Sequence, residues 1–191
     1  MTICSYLLQG PRVAIRHIVR NDYEEVAALT RASADMQQPW LGTREQSPEA
    51  FDSHLARFEQ PTHEGFVICR RNTGAIVGGV NINNIVRGAL QSGTLGYTAY
   101  ASTTGRGYMT EGLKLVLQHA FDQLQLHRLE ANIQPDNVSS LNLVKRLGFQ
   151  AEGYSPAFQL INGEWRDHER WAITAEALAA TPPPATRVPP K

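Results

Sequence analysis

The chain has 191 residues, 42% of them hydrophobic and 19% charged, and its 18 basic residues balance 18 acidic ones to a formal net charge of zero. That length buries one full core more readily than two small ones, and the charge balance argues against a protein held on nucleic acid or an anionic membrane by bulk attraction. No stretch approaches the ~18 to 20 consecutive apolar residues of a membrane span, and the first residues carry no basic segment leading a hydrophobic run. Cys4 and Cys69 lack the paired spacing of a metal knuckle or a disulfide framework. The expectation is one soluble cytoplasmic domain with reduced thiols, no metal, and no direct contact with nucleic acid or membrane.

Polar and apolar residues alternate from Arg12 to Ile18, which predicts a first strand. Asn21 followed by Glu24 has capping-box spacing, and Val26 and Leu29 share a face of a helix running to Ser33. Pro39, Trp40 and Leu41 read as a loop. Ser47 and Pro48 make an N-cap and an N1 proline for a second helix, with Phe51, Leu55 and Phe58 at helical spacing up to Pro61. Gly65 to Arg70 and Ala75 to Asn83 form a hairpin rich in Val and Ile around Asn72 to Gly74, and Ser92 to Tyr100 supplies another strand. The longest helix follows Gly107: Leu113, Val116, Leu117, Ala120, Phe121 and Leu124 fall on one stripe. Arg128 to Ile133 is a short strand, and Asn137 to Leu147 a helix closed by Gly148 at C′. Phe149 to Ile161 and Glu164 to Thr174 flank Asn162-Gly163, a type I′ hairpin turn. The tail from Thr181 to Lys191 holds five prolines in eleven residues, too little apolar surface to pack, and is expected to be disordered. The domain is therefore placed at 1–176 and the tail at 177–191, in an α/β (α+β) arrangement with no internal repeat.

Two segments carry chemistry. From Leu95 to Glu111 a strand runs into a Gly-rich turn that opens the long helix. Such a turn aims consecutive backbone N–H groups outward while the helix end adds positive potential, which suits a diphosphate. The same turn equally serves as an ordinary helix start. A dinucleotide fingerprint fits poorly, because Thr110 stands where its third glycine belongs and Asn132 where its acidic residue would be. The second segment is Asn132-Ile-Gln-Pro-Asp-Asn137-Val-Ser-Ser140, ending in Leu147-Gly148-Phe149. Asn137 and Ser140 lie one helical turn apart and can face one ligand, or Asn137 or Ser139 can simply cap the helix.

Together these segments resemble the GCN5-related N-acetyltransferase (GNAT) superfamily, in its RimJ/RimL-like ribosomal-protein-alanine N-acetyltransferase branch. The first matches its acetyl-coenzyme A pyrophosphate loop, apart from Ser102 at the loop's first position, and the second its Asn-x-x-Ser to Leu-Gly-Phe motif. Ile82-Asn-Asn-Ile-Val-Arg-Gly88, His127-Arg128, Glu152-Gly-Tyr154 and Ile161-Asn-Gly-Glu-Trp-Arg-Asp-His168 point to the RimJ side. The likeness extends over roughly Arg12 to Thr174.

The resemblance implies a GNAT fold: a mixed, mostly antiparallel sheet of about seven strands, splayed between its fourth and fifth strands and flanked by about four helices. It implies acetyl-coenzyme A as cofactor, its pantetheine arm lying in the splay against Tyr97, Thr98 and Ala99. Its diphosphate would rest on backbone amides from Gly105 through Arg106, Gly107, Tyr108 and Met109 to Thr110. Asn137 would bond the pantetheine arm, Ser140 would protonate the departing thiolate, and a backbone N–H near Thr98 would polarise the thioester carbonyl. Arg106, Lys145 and Arg146 are candidates for neutralising phosphates. Trp40, Asn83, Arg87 and Tyr154 are assigned to the acceptor groove. Gln159 occupies the position of a RimL-like glutamate base, which leaves a held water or, by proximity, Asp167, His168 or Glu169. The implied partner is a protein N-terminal tail, of a small-subunit ribosomal protein, met by a monomer or homodimer. The alternatives are acetylation of a small amine, such as an antibiotic, polyamine or amino acid, and a non-catalytic coenzyme A-binding or ribosome-associated protein.

Overall fold

A computed structural model describes residues 5–42 and 45–180. Eight strands form one sheet in the order β1-β2-β3-β4-β5-β6-β8-β7. They are β1 (Leu8–Gln9), β2 (Val13–His17), β3 (Glu64–Arg70), β4 (Ile76–Val86), β5 (Ser92–Ala99), β6 (Arg128–Ile133), β7 (Gln150–Ile161) and β8 (Glu164–Thr174). The helices are α1 (Tyr23–Ala32), α2 (Ala34–Leu41), α3 (Pro48–Ala56), α4 (Tyr108–Asp122), α5 (Val138–Leu147) and α6 (Ala175–Ala180). Every neighbouring pair of strands is antiparallel except β5 and β6.

The two faces of the sheet bury different apolar sets, as the two-residue strand period requires. Phe66 and Ile68 of β3 join Leu113, Val116 and Leu117 of α4 and Val144 and Leu147 of α5 in the larger core. Val67 and Cys69 point the other way, packing with Ile76 and Tyr100 beneath Val26 and Leu29 of α1. Gly112 brings α4 close to the sheet: a Cβ there would lie 2.4 Å from Ile68 Cδ1.

The splay expected between the fourth and fifth predicted strands lies between β5 and β6, since β1 adds a strand at the sheet edge. These two strands pair only through Ser92, Gly93 and Thr94 against Arg128, Leu129 and Glu130. Beyond Thr94, β5 stays with β4 as far as Ala99, while β6 stays with β8 as far as Ile133. The backbone edge of Leu95 to Ala99 that faces β6 is thus left without a strand partner.

Three local readings change. The Pro39-Trp40-Leu41 segment is helical, as the end of α2, despite Pro39 within it. Side chains from elsewhere serve its last carbonyls: Gln134 Nε2 donates to Pro39 and Trp40, and Asn162 Nδ2 to Gln38. Asn21 does not cap α1 but sits in a single 3₁₀ turn, Arg20–Asp22, where Asp22 takes both terminal nitrogens of Arg16 at 2.7 Å. Helix α6 carries the packed chain to Ala180, past the boundary expected at 176, with Ala177 and Leu178 against the larger core. Thr181 to Lys191 and Cys4 lie outside the described residues. Among the described residues no helix is long and apolar enough to cross a membrane.

Candidate active site

A cleft of about 870 Å³ passes through the gap between β5 and β6. On the α4/α5 side it is bounded by Tyr97, Asn137 and Ser140, and on the other side it opens between α1, α2 and the β7–β8 hairpin. It brings together Trp40, Asn83, Tyr97, Thr98, Asn137, Ser140, Gln159 and His168 of the residues singled out in the sequence.

The α5 end of the cleft is tightly tied. Asn137 caps the helix, its Oδ1 accepting the Ser140 N–H at 3.1 Å. The capping alternative therefore holds for its oxygen, while its amide NH₂ remains at the cleft. Ser140 Oγ and the Tyr97 hydroxyl share a short hydrogen bond across the splay. Burial pushes the Tyr97 phenol up to about 12, so it is a neutral O–H partner. Sequence reasoning assigned Tyr97 by its backbone alone. The signal for its side chain was the strand period, since Gly93, Leu95 and Tyr97 share the face that meets the helices.

The Gly-rich turn sits at the N-terminus of α4. Gly105 (φ 72°) and Gly107 (φ 77°) adopt left-handed backbone that β-carbon-bearing residues resist, and Gly107 occupies the N-cap without any side-chain cap. The first N–H groups of α4 thus keep no intrahelical acceptor and no capping oxygen, which leaves them for an anion. The turn is braced from outside: Thr103 Oγ1 donates to Val77 at 3.0 Å, and Ser33 Oγ accepts the Ala101 N–H at 2.9 Å. Lys145 and Arg146 are not aimed at the cleft. Lys145 Nζ lies 5.3 Å over the Trp171 ring, and Arg146 donates to the Asn142 carbonyl.

On the acceptor side, Trp40 is half-buried on α2, and Asn83 Oδ1 accepts from Arg57 Nη2 at 3.1 Å. Arg87 and Tyr154 do not line the cleft. Arg87 is drawn to the C-terminal end of α4, donating to the Leu124 carbonyl at 2.5 Å, and Tyr154 donates to Asp167 at 2.5 Å. Asp167 also accepts the Ala157 N–H at 2.7 Å, so it holds the bulge in β7 by hydrogen bonds rather than an ion pair. Glu169 accepts from the Trp171 indole. Of the three residues named near the closing hairpin, only His168 lines the cleft, beside Gln159. It is 3% exposed; its Nδ1 meets the Arg166 carbonyl at 3.0 Å, which fixes the proton on Nδ1 and leaves Nε2 as an acceptor. Burial lowers its pKa, keeping the ring neutral.

The lining holds two carboxylates, Glu45 and Glu130, and sequence reasoning missed both. Glu130 is bound by Arg128 at 3.0 Å and Arg170 at 2.8 Å. Burial raises its pKa, but those two guanidinium contacts outweigh it and hold the carboxyl ionised. Their positions follow from strand pairing: Glu130 and Asn132 share one face of β6, and Arg170 stands opposite Asn132.

The arrangement suits a long ligand with a narrow arm against the open edge of β5 and its reactive end at Ser140; Ala99 and residues 105–110 lie outside the cleft lining, so the N–H groups opening α4 would meet only a part of the ligand that extends beyond the cleft. A model of the acetyltransferase (GNAT) domain family matches residues 12–150. The chain is 30% identical over 174 residues to the [Ribosomal protein uS5]-alanine N-acetyltransferase of Escherichia coli, covering 87% of this chain and 90% of that one. It is 26% identical over 165 residues to the spermidine N(1)-acetyltransferase of the same organism, covering 84% and 85%. Among solved structures, Mycobacterium smegmatis RimJ in complex with CoA-disulfide superposes with a TM-score of 0.80 at 31% identity, covering 87% and 83%.

Proposed function

The chain belongs to the GNAT family of acetyl-coenzyme A-dependent N-acetyltransferases, and from that premise we propose that its acceptor is the N-terminal α-amine of a protein, in a RimJ-like reaction on a small-subunit ribosomal protein in the cytoplasm. The observation that carries this reading is the charge state of the acceptor side. Of its two carboxylates, Glu130 is held by the guanidiniums of Arg128 and Arg170, and Glu45 accepts from the Ser47 hydroxyl at 2.6 Å, which leaves at most one carboxylate to meet an ammonium group. A polyamine carries several ammonium groups and would require unpaired carboxylates spaced to meet them. A peptide α-amine presents one, with a pKa near ~8, so a sizeable fraction is neutral at physiological pH and needs little help from a base. The open side of the cleft admits a tail that continues into a folded protein.

The residues fit the cofactor. The edge of Leu95 to Thr98, which has no strand partner toward β6, offers backbone partners to the pantetheine amides, and the uncapped start of α4 offers N–H groups to the diphosphate. When bound, acetyl-coenzyme A supplies a thioester-activated acetyl group. In this reading a backbone N–H near Thr98 polarises the carbonyl oxygen, and Ser140 Oγ donates a proton to the sulfur as the C–S bond breaks. His168 Nε2, directly or through one water, takes the proton that the amine nitrogen sheds as the C–N bond forms. The Nδ1 contact to Arg166 holds that ring in the accepting tautomer. Asn137 and Tyr97 hold Ser140 in place.

The test is a thiol-release assay with acetyl-coenzyme A. The acceptors are ribosomal-protein N-terminal peptides with free α-amines, the same peptides with blocked α-amines and an internal lysine, and spermidine. Turnover is expected on the free α-amines alone. Preferred turnover of spermidine would overturn the acceptor assignment.

A further inference from the structure

We propose that Arg12 is the positioning residue for the diphosphate loop, working with Glu111 as a clamp that aims the loop's amides and cancels a charge next to them. This rests on the acetyl-coenzyme A reading above and assigns a role to two residues outside the cleft lining.

Glu111 lies in the first turn of α4 with its side chain only 16% exposed. Its Oε1 accepts the backbone N–H groups of Arg12 at 2.6 Å and Val13 at 3.1 Å, and its Oε2 accepts Arg12 Nε at 2.8 Å. The Arg12 guanidinium also lies 5.1 Å over the Tyr108 ring, and its Nη1 donates to the Arg106 carbonyl at 2.9 Å. One side chain, entering from the start of β2, thus holds the loop before the helix, the first helical residue and the first helical turn.

Two consequences follow. A trans peptide has its C=O and N–H pointing in opposite directions. With the Arg106 carbonyl turned to Arg12, the Gly107 N–H of the same peptide is turned away from Arg12, and on this proposal it faces the diphosphate. Gly107 itself leaves room for the clamp, since a Cβ there would stand 3.3 Å from Arg12 Nη2. The second consequence is electrostatic. A carboxylate in the first turn favours the helix dipole, yet it stands beside the site of a polyanion. Burial alone would raise the Glu111 pKa, but the Arg12 and Val13 hydrogen bonds prevail and keep it ionised. Arg12 cancels that charge, so its loss both frees the carbonyl and exposes a negative group to the diphosphate.

The experiment measures coenzyme A affinity by calorimetry and, at saturating coenzyme A, backbone amide exchange, for the full chain and for Arg12→Met, Arg12→Lys and Arg12→Met/Glu111→Gln. Arg12→Met is expected to weaken binding about 10-fold, equivalent to about 1.4 kcal/mol. Ligand-induced protection should be lost at residues 105–110 and kept at 95–99. Arg12→Lys, which keeps the charge but not the fork, should recover only part of the affinity. The double variant should bind several-fold better than Arg12→Met, because the uncompensated carboxylate is gone. Unchanged affinity in Arg12→Met, or equal loss of protection at both segments, overturns the clamp. Failure of the unsubstituted protein to bind coenzyme A would instead sink the cofactor reading beneath it.

Discussion

Replacing Tyr97 by Phe removes one hydroxyl and keeps the ring that fills the space between β5 and α5. The lost group is the hydrogen-bond partner of Ser140 Oγ, the proposed proton donor to the departing sulfur. A neutral hydrogen bond contributes a net ~1 kcal/mol, and if that energy serves to hold the Ser140 rotamer, its loss slows turnover about 5-fold. Ser140→Ala removes the donor itself, and positioned proton transfer is worth ~10² to 10⁴ in rate, so a loss of at least ~100-fold is expected there. Tyr97 acts only through Ser140 on this account. In the Ser140→Ala background the further change Tyr97→Phe should therefore cost almost nothing, giving a coupling equal to its whole single effect. The assay is steady-state thiol release with saturating acetyl-coenzyme A and peptide. The phenol is pushed up to about 12, so no alkaline limb of the pH profile should belong to it. Additive losses, or a ~100-fold loss in Tyr97→Phe beside a near-normal Ser140→Ala, would refute the reasoning and make Tyr97 the donor.

Asn137→Ala should cost ~0.5 to 2 kcal/mol of stability through the lost cap, and should raise the KM for acetyl-coenzyme A more than it lowers kcat; equal change in both would remove Asn137 from the cofactor site. Gly112→Ala drives a methyl into Ile68, which is fully buried. At ~1 to 3 kcal/mol for overpacking, and ~2 to 4 °C per kcal/mol for a domain of this size, Tm should fall by about 2 to 12 °C, and an unchanged Tm would show that α4 has slack against the sheet. Burial lowers the pKa of both His119 and His168 in the folded chain. The unfolded chain therefore binds the extra protons, and the contribution of these rings to stability is complete above ~6.5 and lost as pH falls below it. Thermal melts across that range should show the decline, smaller in His168→Gln, and a flat profile would contradict the burial of both rings.

Much of the fold was legible because the two periods are unambiguous where one face is buried. The stripe from Leu113 to Leu124 and the β-branched runs of β3 and β4 could pack in only one way, and Asn162-Gly163 specifies its turn locally. The local geometry of the candidate cofactor site was legible for the same reason, because the glycines at 105 and 107 and the Asn137-to-Ser140 spacing are local patterns, which the backbone realises as a left-handed turn opening α4 and as the cap of α5. The helix ending α2 was not, because local propensity at Pro39 is overruled by Gln134 and Asn162, which lie ~95 and ~124 residues away in sequence. Nor were the partners of Arg87 and Tyr154, since exposed polar side chains take whichever carbonyl or carboxylate the assembled sheet brings near.

The sequence by itself determined most of the order of elements, the Gly-rich turn opening α4 and the family resemblance, all of which depend on residues close along the chain. Only the tertiary structure decided which side chains share the cleft. Tyr97 meets Ser140, Arg170 meets Glu130, and Arg12 meets Glu111 across separations of 43, 40 and 99 residues. Those meetings depend on strand register and on the gap between β5 and β6, and no local pattern encodes a distance between segments that far apart.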